Sequence, residues 1–121
     1  MTACTPGAIT ILGSRIDNIP SYEAAFGILL RACREEEHPD HITVNNAHTM
    51  VEGARRPEFQ HIINESLLSL ADGRPLSIIG WLKGARTMHR IFGPTLLEKS
   101  LDWGRREGLR HFFFGNTPET L

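Results

Sequence analysis

The sequence predicts an α/β protein built around a parallel sheet, with helices on both faces and a small N-terminal hairpin. Short β-rich runs alternate along the chain with amphipathic helical patterns, as they do in βαβ units. Polar residues or a glycine follow three of these runs where a helix is predicted to begin. The chain has 121 residues, 40% of them hydrophobic, so we expect a single domain over residues 1–121.

The composition narrows the class of protein. The formal net charge of -1 argues against a general nucleic-acid-binding protein, which is usually basic. Cys4 and Cys33 form no CxxC or zinc spacing, and we interpret them as free thiols in a reducing compartment. The apolar runs are too short to span a bilayer and the N-terminus lacks a secretion-signal pattern, so we expect a cytoplasmic location.

The first half of the chain predicts a hairpin, a helix, a strand and two helical segments. Residues 8–19 form two β-rich runs around a turn signal at Gly13-Ser14. Ser21 is a candidate N-cap for the helix that follows. Residues 41–44 form a short β-branched strand, and helical spacing then continues to about residue 63.

The second half predicts two further strand–helix units. A strand at residues 67–71 leads into a helix from about Pro75, and an amphipathic helix covers residues 95–106 with a C-cap at Gly108. Residues 110–114 are the most strand-like run in the chain, and we expect its three phenylalanines to be buried.

Candidate functional residues follow three of the predicted strands. Because the carboxyl ends of parallel strands share one edge of a sheet, we expect these residues to lie together. A carboxylate at that edge suits general-base catalysis on a hydroxyl, amides suit a sugar or nucleotide, and a glycine turn before a helix suits a phosphate. The alternative is that each residue only caps its own helix. The residues concerned are Asn45, Asn46, Asp72, Gly73, Gly115 and Thr117.

Two other clusters carry less information. A basic cluster in the second half could contact a diphosphate or simply form a solvated face. A group of histidines and acids offers metal-ligand types, but its irregular spacing does not favour a metal site. The basic cluster comprises Lys83, Arg86, His89 and Arg90, and the second group comprises residues 35–37 with His38 and His41.

Six blocks of the sequence, in this order, resemble those of the WecG/TagA/CpsF family of glycosyltransferases. ILGSRID resembles the family's opening strand pair, and the others resemble its patterns TxNxxH, DPEF…LN, ADGxPL, RVxGxD and GLRVFLLGGxPE. The blocks are ILGSRID (residues 11–17), TVNNAH (43–48), RPEFQHIIN (56–64), ADGRPL (71–76), RIFGP (90–94) and GLRHFFFGNTPE (108–119).

The resemblance implies a Rossmann-like fold and a specific chemistry. Members transfer a hexose of the N-acetylmannosamine type from a UDP-sugar to a polyprenyl-diphosphate-linked acceptor, with inversion, in cell-surface polysaccharide synthesis. It implies Asp72 as general base, no metal or other cofactor, and work at the inner face of the membrane. The full predicted substrate-binding set is Thr43, Asn45, Asn46, Gly73, Arg90, Gly115 and Thr117.

The chain also departs from the family pattern. The family pattern has acids where this chain has Arg56 and Thr95, and a glycine where it has Asn116. These differences affect the detail of the expected donor pocket. The resemblance covers about the first half of the family domain, so we expect a truncated fold with an unpaired sheet edge. We therefore expect either a homodimer that buries the surface around residues 112–114 and the C-terminal segment, or a monomer whose hairpin at residues 8–19 covers that edge. The alternative functions are a non-catalytic remnant that binds a nucleotide sugar or partner, and an assembly protein without a ligand.

Overall fold

A computed structural model describes residues 7–35 and 39–119 of the chain. In these two ranges the chain forms four short strands and five helices, each of them at a position where the sequence predicts such an element. They are β1 (Ile9–Ile11), β2 (Ser14–Ile16), α1 (Tyr22–Glu35), β3 (Ile42–Asn45), α2 (Ala47–Arg55), α3 (Pro57–Asn64), β4 (Leu68–Ala71), α4 (Arg74–Leu82) and α5 (Gly93–Arg106).

The predicted hairpin is present, with its turn one residue earlier than expected. β1 and β2 pair antiparallel with Ile9 opposite Ile16. The turn residues are Leu12 and Gly13, with φ of 50° and 89°, and Ser14 already belongs to β2. Two positive φ angles give a turn whose twist matches that of the flanking strands, which is why a glycine is favoured there.

β3 and β4 form the parallel pair that the sequence predicts. The two strands align with Ile42 opposite Leu68 and Asn45 opposite Ala71. Side chains alternate between the two faces of a strand. Leu68 and Leu70 accordingly join one buried cluster, while Ala71 joins the other.

Residues of the helices pack into both buried hydrophobic clusters. α2, α3 and α4 contribute Met50, Ile63 and Leu76 to the cluster that contains Ala71. α1 and α5 contribute Ala25 and Leu96 to the cluster that contains Leu68 and Leu70. The prediction of helices on both faces of a parallel sheet is thus confirmed, and the fold is consistent with a Rossmann-like α/β protein.

Local signals set several helix ends as expected. The Ser21 hydroxyl accepts a hydrogen bond from the Ala24 amide at 3.1 Å, which is the predicted N-cap of α1. Gly108 has a φ of 69° after α5, and the next amide, that of Leu109, donates to the Gly104 carbonyl at 3.0 Å. No helix in the described ranges has the length and apolar composition needed to cross a bilayer.

The strand predicted at residues 110–114 is wrong. These residues adopt no regular secondary structure, and Phe112 and Phe114 are 89% and 93% exposed instead of buried. Strand propensity reflects packing on a pleated surface more than an intrinsic backbone preference, so an aromatic run without a paired neighbour need not form a strand. The helix start predicted at Thr117 lies between a bend at residues 115–116 and a turn at residues 118–119, and residues 120–121 lie outside the described residues.

Candidate active site at the carboxyl ends of two parallel strands

The structure brings together the residues that follow β3 and β4. The backbone oxygen of Asn45 accepts hydrogen bonds from the amides of Asp72, at 2.8 Å, and Gly73, at 3.3 Å. One carbonyl at the end of β3 therefore holds the turn that leaves β4. The expectation that these two strand ends share one edge is confirmed.

Gly73 is favoured by the close packing around it and not by its backbone angle. Its φ of -75° is open to any residue, but a Cβ built there would lie 3.3 Å from the Cβ of Asn46. The two strand ends thus approach so closely that a larger side chain would push them apart. This close approach keeps Asp72 beside β3.

The helix-capping alternative is correct for Asn46 and is not supported for Asp72. The Asn46 side chain accepts from the Thr49 amide, and the Thr49 hydroxyl accepts from the Asn46 amide, both at 3.0 Å, which forms a capping box for α2. The N-cap of α4 is Gly73, and it has no side-chain cap bond. The Asp72 carboxylate therefore remains available for another role.

Asp72 lies against Arg90 with one carboxylate oxygen covered. Arg90 Nε is 3.6 Å from Asp72 Oδ1 and donates a hydrogen bond to the Asp72 backbone oxygen. Oδ1 is buried and accepts no hydrogen bond from the described residues. The side chain as a whole is 23% exposed, so solvent reaches it through atoms other than Oδ1. One oxygen of the carboxylate therefore lies against Arg90, and the other is not enclosed by the described residues.

Arg90 is positioned by the loop between α4 and α5. The amide of its neighbour Ile91, which is fully buried, donates to the Ala71 oxygen at 2.9 Å, so the loop is attached to the end of β4. The Arg90 guanidinium also lies over the Phe92 ring, 5.2 Å from its centre. These contacts hold the cation at the strand end.

Thr43 and Asn45 point into the protein. Asn45 is 2% exposed, and its amide group donates to the hydroxyls of Thr43 at 3.0 Å and Ser69 at 2.9 Å. Its side-chain oxygen accepts from the Thr49 hydroxyl at 3.2 Å. Both donors of the amide are used by the protein itself. In this structure the two side chains therefore position the strand end beneath Asp72.

The sequence analysis missed the role of Arg15 and Asp17. Asp17 is buried, its backbone amide donates to the Ser69 oxygen, and its Oδ2 accepts from the Ser69 amide, both at 2.8 Å. Arg15 donates to the same Oδ2 at 3.2 Å and to the backbone oxygens of Asn64 and Ser66, each at 2.7 Å. Arg15 in β2 and Asp17 directly after it carry opposite charges two residues apart, a spacing that places two side chains on one face of extended backbone and that was the available signal for this network.

Three other predicted groups are not assembled into one site. Gly115 and Thr117 do not follow a strand, because residues 110–114 form none. In the basic cluster, Lys83 donates to the Thr10 oxygen and Arg86 lies over Trp81, so only Arg90 contacts Asp72. His38 lies outside the described residues, among which no group of three metal-ligand side chains occurs.

The fold and this candidate site define an α/β protein that carries a carboxylate beside an arginine at the carboxyl ends of its parallel strands. Residues 9–121 match the model of the Glycosyl transferase WecG/TagA/CpsF family, and the chain belongs to that family. Membership supports a glycosyltransferase function in polysaccharide synthesis, in general with a sugar-nucleotide donor and a lipid-linked acceptor. None of the curated proteins matches the chain significantly.

Proposed function

We propose that the chain transfers a hexose of the N-acetylmannosamine type from a UDP-sugar to a polyprenyl-diphosphate-linked acceptor, with inversion. In this reaction Asp72 takes the proton of the acceptor hydroxyl while the oxygen of that hydroxyl attacks the anomeric carbon of the donor sugar. The bond from that carbon to the diphosphate breaks, and UDP leaves with the electron pair. The reaction would take place in the cytoplasm, at the inner face of the membrane, during cell-surface polysaccharide synthesis.

The observation that carries this proposal is the one-sided environment of the Asp72 carboxylate. Arg90 covers Oδ1, and no described residue donates a hydrogen bond to Oδ2, which is not among the buried unpaired atoms. A general base must reach its proton at hydrogen-bond distance, and a carboxylate already satisfied by the protein would be a poor candidate. Asp72 meets this requirement while its backbone is held by β3.

The neighbouring residues divide into two groups in this proposal. Arg90, Asn46 and Gly73 surround the carboxylate, where the half-exposed Arg90 cation suits a diphosphate and the exposed Asn46 side chain suits a sugar. Thr43 and Asn45 act from beneath by fixing the strand end. Gly115 and Thr117 remain predictions from the sequence for the nucleotide side. No metal or other cofactor is part of the proposal.

Turnover of UDP-N-acetylmannosamine with a polyprenyl-diphosphate-linked acceptor tests the proposal. We expect Asp72→Asn to lower the rate about 10²–10⁴-fold, because it keeps the size of the side chain and removes the base. The matched control is Asp102→Asn, at an exposed aspartate of α5 that pairs with Arg105. An Asp72→Asn protein that is much less stable, but whose folded fraction keeps its specific activity, would show that the residue is structural.

A second candidate function is a non-catalytic module that binds a nucleotide sugar and self-associates. The exposed phenylalanines at positions 112 and 114 favour it, because large apolar side chains this exposed often mark an interface. We propose a two-fold homodimer that buries the surface around residues 112–114 and the C-terminal segment. Light scattering at micromolar concentration tests this dimer, and a monomer with a cooperative melt would contradict it. Intact UDP binding without turnover would select the second function over the first.

A further inference from the structure

The helix that begins beside Asp72 presents an apolar ridge to solvent. Ile78, Trp81 and Leu82 are 54%, 52% and 72% exposed, and their spacing of three and four residues places them side by side on α4. The opposite side of the helix is buried through Leu76 and Gly80. Exposed apolar side chains grouped in this way beside a candidate site indicate a surface that binds another molecule.

The charge around the ridge indicates what that occupant is. Residues 73–97 contain four Lys or Arg and no Asp or Glu, in a chain whose formal net charge is -1. Arg74 is exposed one helical turn before Ile78, and the Arg86 guanidinium lies over the Trp81 ring, 5.1 Å from its centre. The other two cations are Lys83, bound to a hairpin carbonyl, and Arg90, which contacts Asp72.

We propose that this ridge, Ile78, Trp81 and Leu82 with Arg74 and Arg86 beside it, docks on the surface of an anionic bilayer. Apolar side chains enter the boundary between headgroups and acyl chains, tryptophan favours that boundary, and arginines bind the lipid phosphates. A second copy of the chain is a poorer occupant, because pairing two identical ridges would bring the same arginines together.

The docking places the candidate active site at the membrane. Gly73 is the N-cap of α4, so Asp72 lies at the end of the docked helix. A lipid-linked acceptor would then present its diphosphate and sugar beside the carboxylate. This consequence rests on the proposed function, whereas binding of the ridge to a bilayer does not.

Co-sedimentation with lipid vesicles tests the docking without any turnover. We expect the full chain to bind vesicles of phosphatidylcholine and phosphatidylglycerol in equal parts, and to bind pure phosphatidylcholine vesicles much less. Each of Arg74→Gln and Arg86→Gln should weaken binding about fivefold, since one basic residue near an anionic surface contributes about that factor. The matched control, Arg106→Gln, removes an exposed arginine from α5 and should have a smaller effect.

A leucine pair tests the apolar part of the ridge. Leu82→Ser should weaken binding about tenfold, because the side chain would no longer enter the lipid. Leu97→Ser replaces a half-exposed leucine on α5 and should leave binding unchanged. Circular dichroism checks that both variants fold.

The fluorescence of Trp81 gives an independent readout. Trp103 is the only other tryptophan in the sequence, and it packs edge to face on Phe26 at 5.4 Å. In a Trp103→Phe variant the emission of Trp81 should shift to the blue on addition of anionic vesicles.

Three results would overturn the docking proposal. They are no binding to anionic vesicles, equal loss of binding in Leu82→Ser and Leu97→Ser, and self-association in solution that Leu82→Ser abolishes. Vesicle binding in a chain without turnover would support the docking and contradict only the proposed reaction.

Discussion

The two outer edges of the parallel pair differ in how they are covered. The free edge of β4 is closed by the hairpin segment, because both backbone groups of Ser69 bind Asp17. Among the described residues β3 pairs with β4 alone, and its other side borders a groove of about 360 Å³ lined by Val44, Leu96 and Leu109. The same small sheet therefore has one edge fixed by a buried charge and one edge left open.

The buried polar contacts of the fold lie on the closed side of the sheet. On the closed side, Arg15, Asp17 and Asn45 form a continuous hydrogen-bonded path through Ser69 to the end of β3. That path ends directly beneath the turn that carries Asp72. The open side has exposed apolar residues and no such path in the described ranges. We infer that the closed edge positions the candidate site and the open edge is available for association.

The largest expected effect is on the closed edge. Asp17→Ala removes the partner of Arg15 and leaves the Ser69 amide buried without an acceptor. We expect the free energy of unfolding, measured with urea, to fall by about 3–5 kcal/mol, because an unpaired buried charge is costly. Asp102→Ala breaks an exposed pair and should cost less than about 1 kcal/mol. Equal costs would mean that the buried pair is not what closes the edge.

A smaller loss of unfolding free energy is expected at Asn45, where the hydrogen-bonded path reaches the candidate active site. Asn45→Ala leaves the Ser69 and Thr43 hydroxyls without their amide donor, so we expect a loss of about 1–3 kcal/mol in unfolding free energy. If Asn45 only positions Asp72, the variant should also lower kcat and leave KM for the donor nearly unchanged. A rise in KM alone would instead make Asn45 a substrate ligand.

Substitution of an exposed phenylalanine near the C-terminus should hardly change stability. Phe114→Ser replaces a side chain with little buried area, so the unfolding free energy of the monomer should change by less than about 0.5 kcal/mol. The same variant should weaken self-association in light scattering if the proposed dimer forms through the surface around residues 112–114. A large loss of stability in dilute monomer would show that the phenylalanine packs within its own chain.

The smallest expected effect concerns an exposed ion pair that contrasts with Arg15 and Asp17. A hydrogen bond from the Glu58 backbone, together with the Arg56 side chain, holds the pKa of Glu58 below its ordinary value of 4.5. Because the folded pKa is depressed, this contribution to stability is present above pH 4.5 and is lost as the pH falls through the folded value. The urea midpoint of unfolding should fall slightly less in Glu58→Gln than in the native chain as the pH is lowered below 4.5. An identical decline would show that the pair adds nothing.

Much of the site could be predicted because its signals are local. A β-rich run followed by Asp72-Gly73 and Pro75 specifies a strand, a turn and a helix start within a few residues. Parallel pairing then places Asn45 beside that turn without further information. Ser21 and Gly108 were predictable for the same reason, since caps act on their own helices.

What could not be predicted depends on distant partners. Residues 110–114 have the composition of a strand, but a strand also needs a neighbouring edge, and composition does not show whether one is present. The inward direction of Asn45 depends on Ser69, and the burial of Asp17 depends on Ser69 and Arg15. Because such contacts join residues far apart in sequence, the periodicity of the sequence does not predict them.

The most direct test of the account is to map UDP binding onto the backbone by nuclear magnetic resonance. We predict that adding UDP shifts the amide signals of Asn46, Gly73 and Arg90, at the strand ends that surround Asp72. We expect smaller changes along the hairpin, which lies on the far side of the buried network. Shifts confined to the groove beside Val44 and Leu109, with Gly73 and Arg90 unchanged, would contradict the placement of the active site.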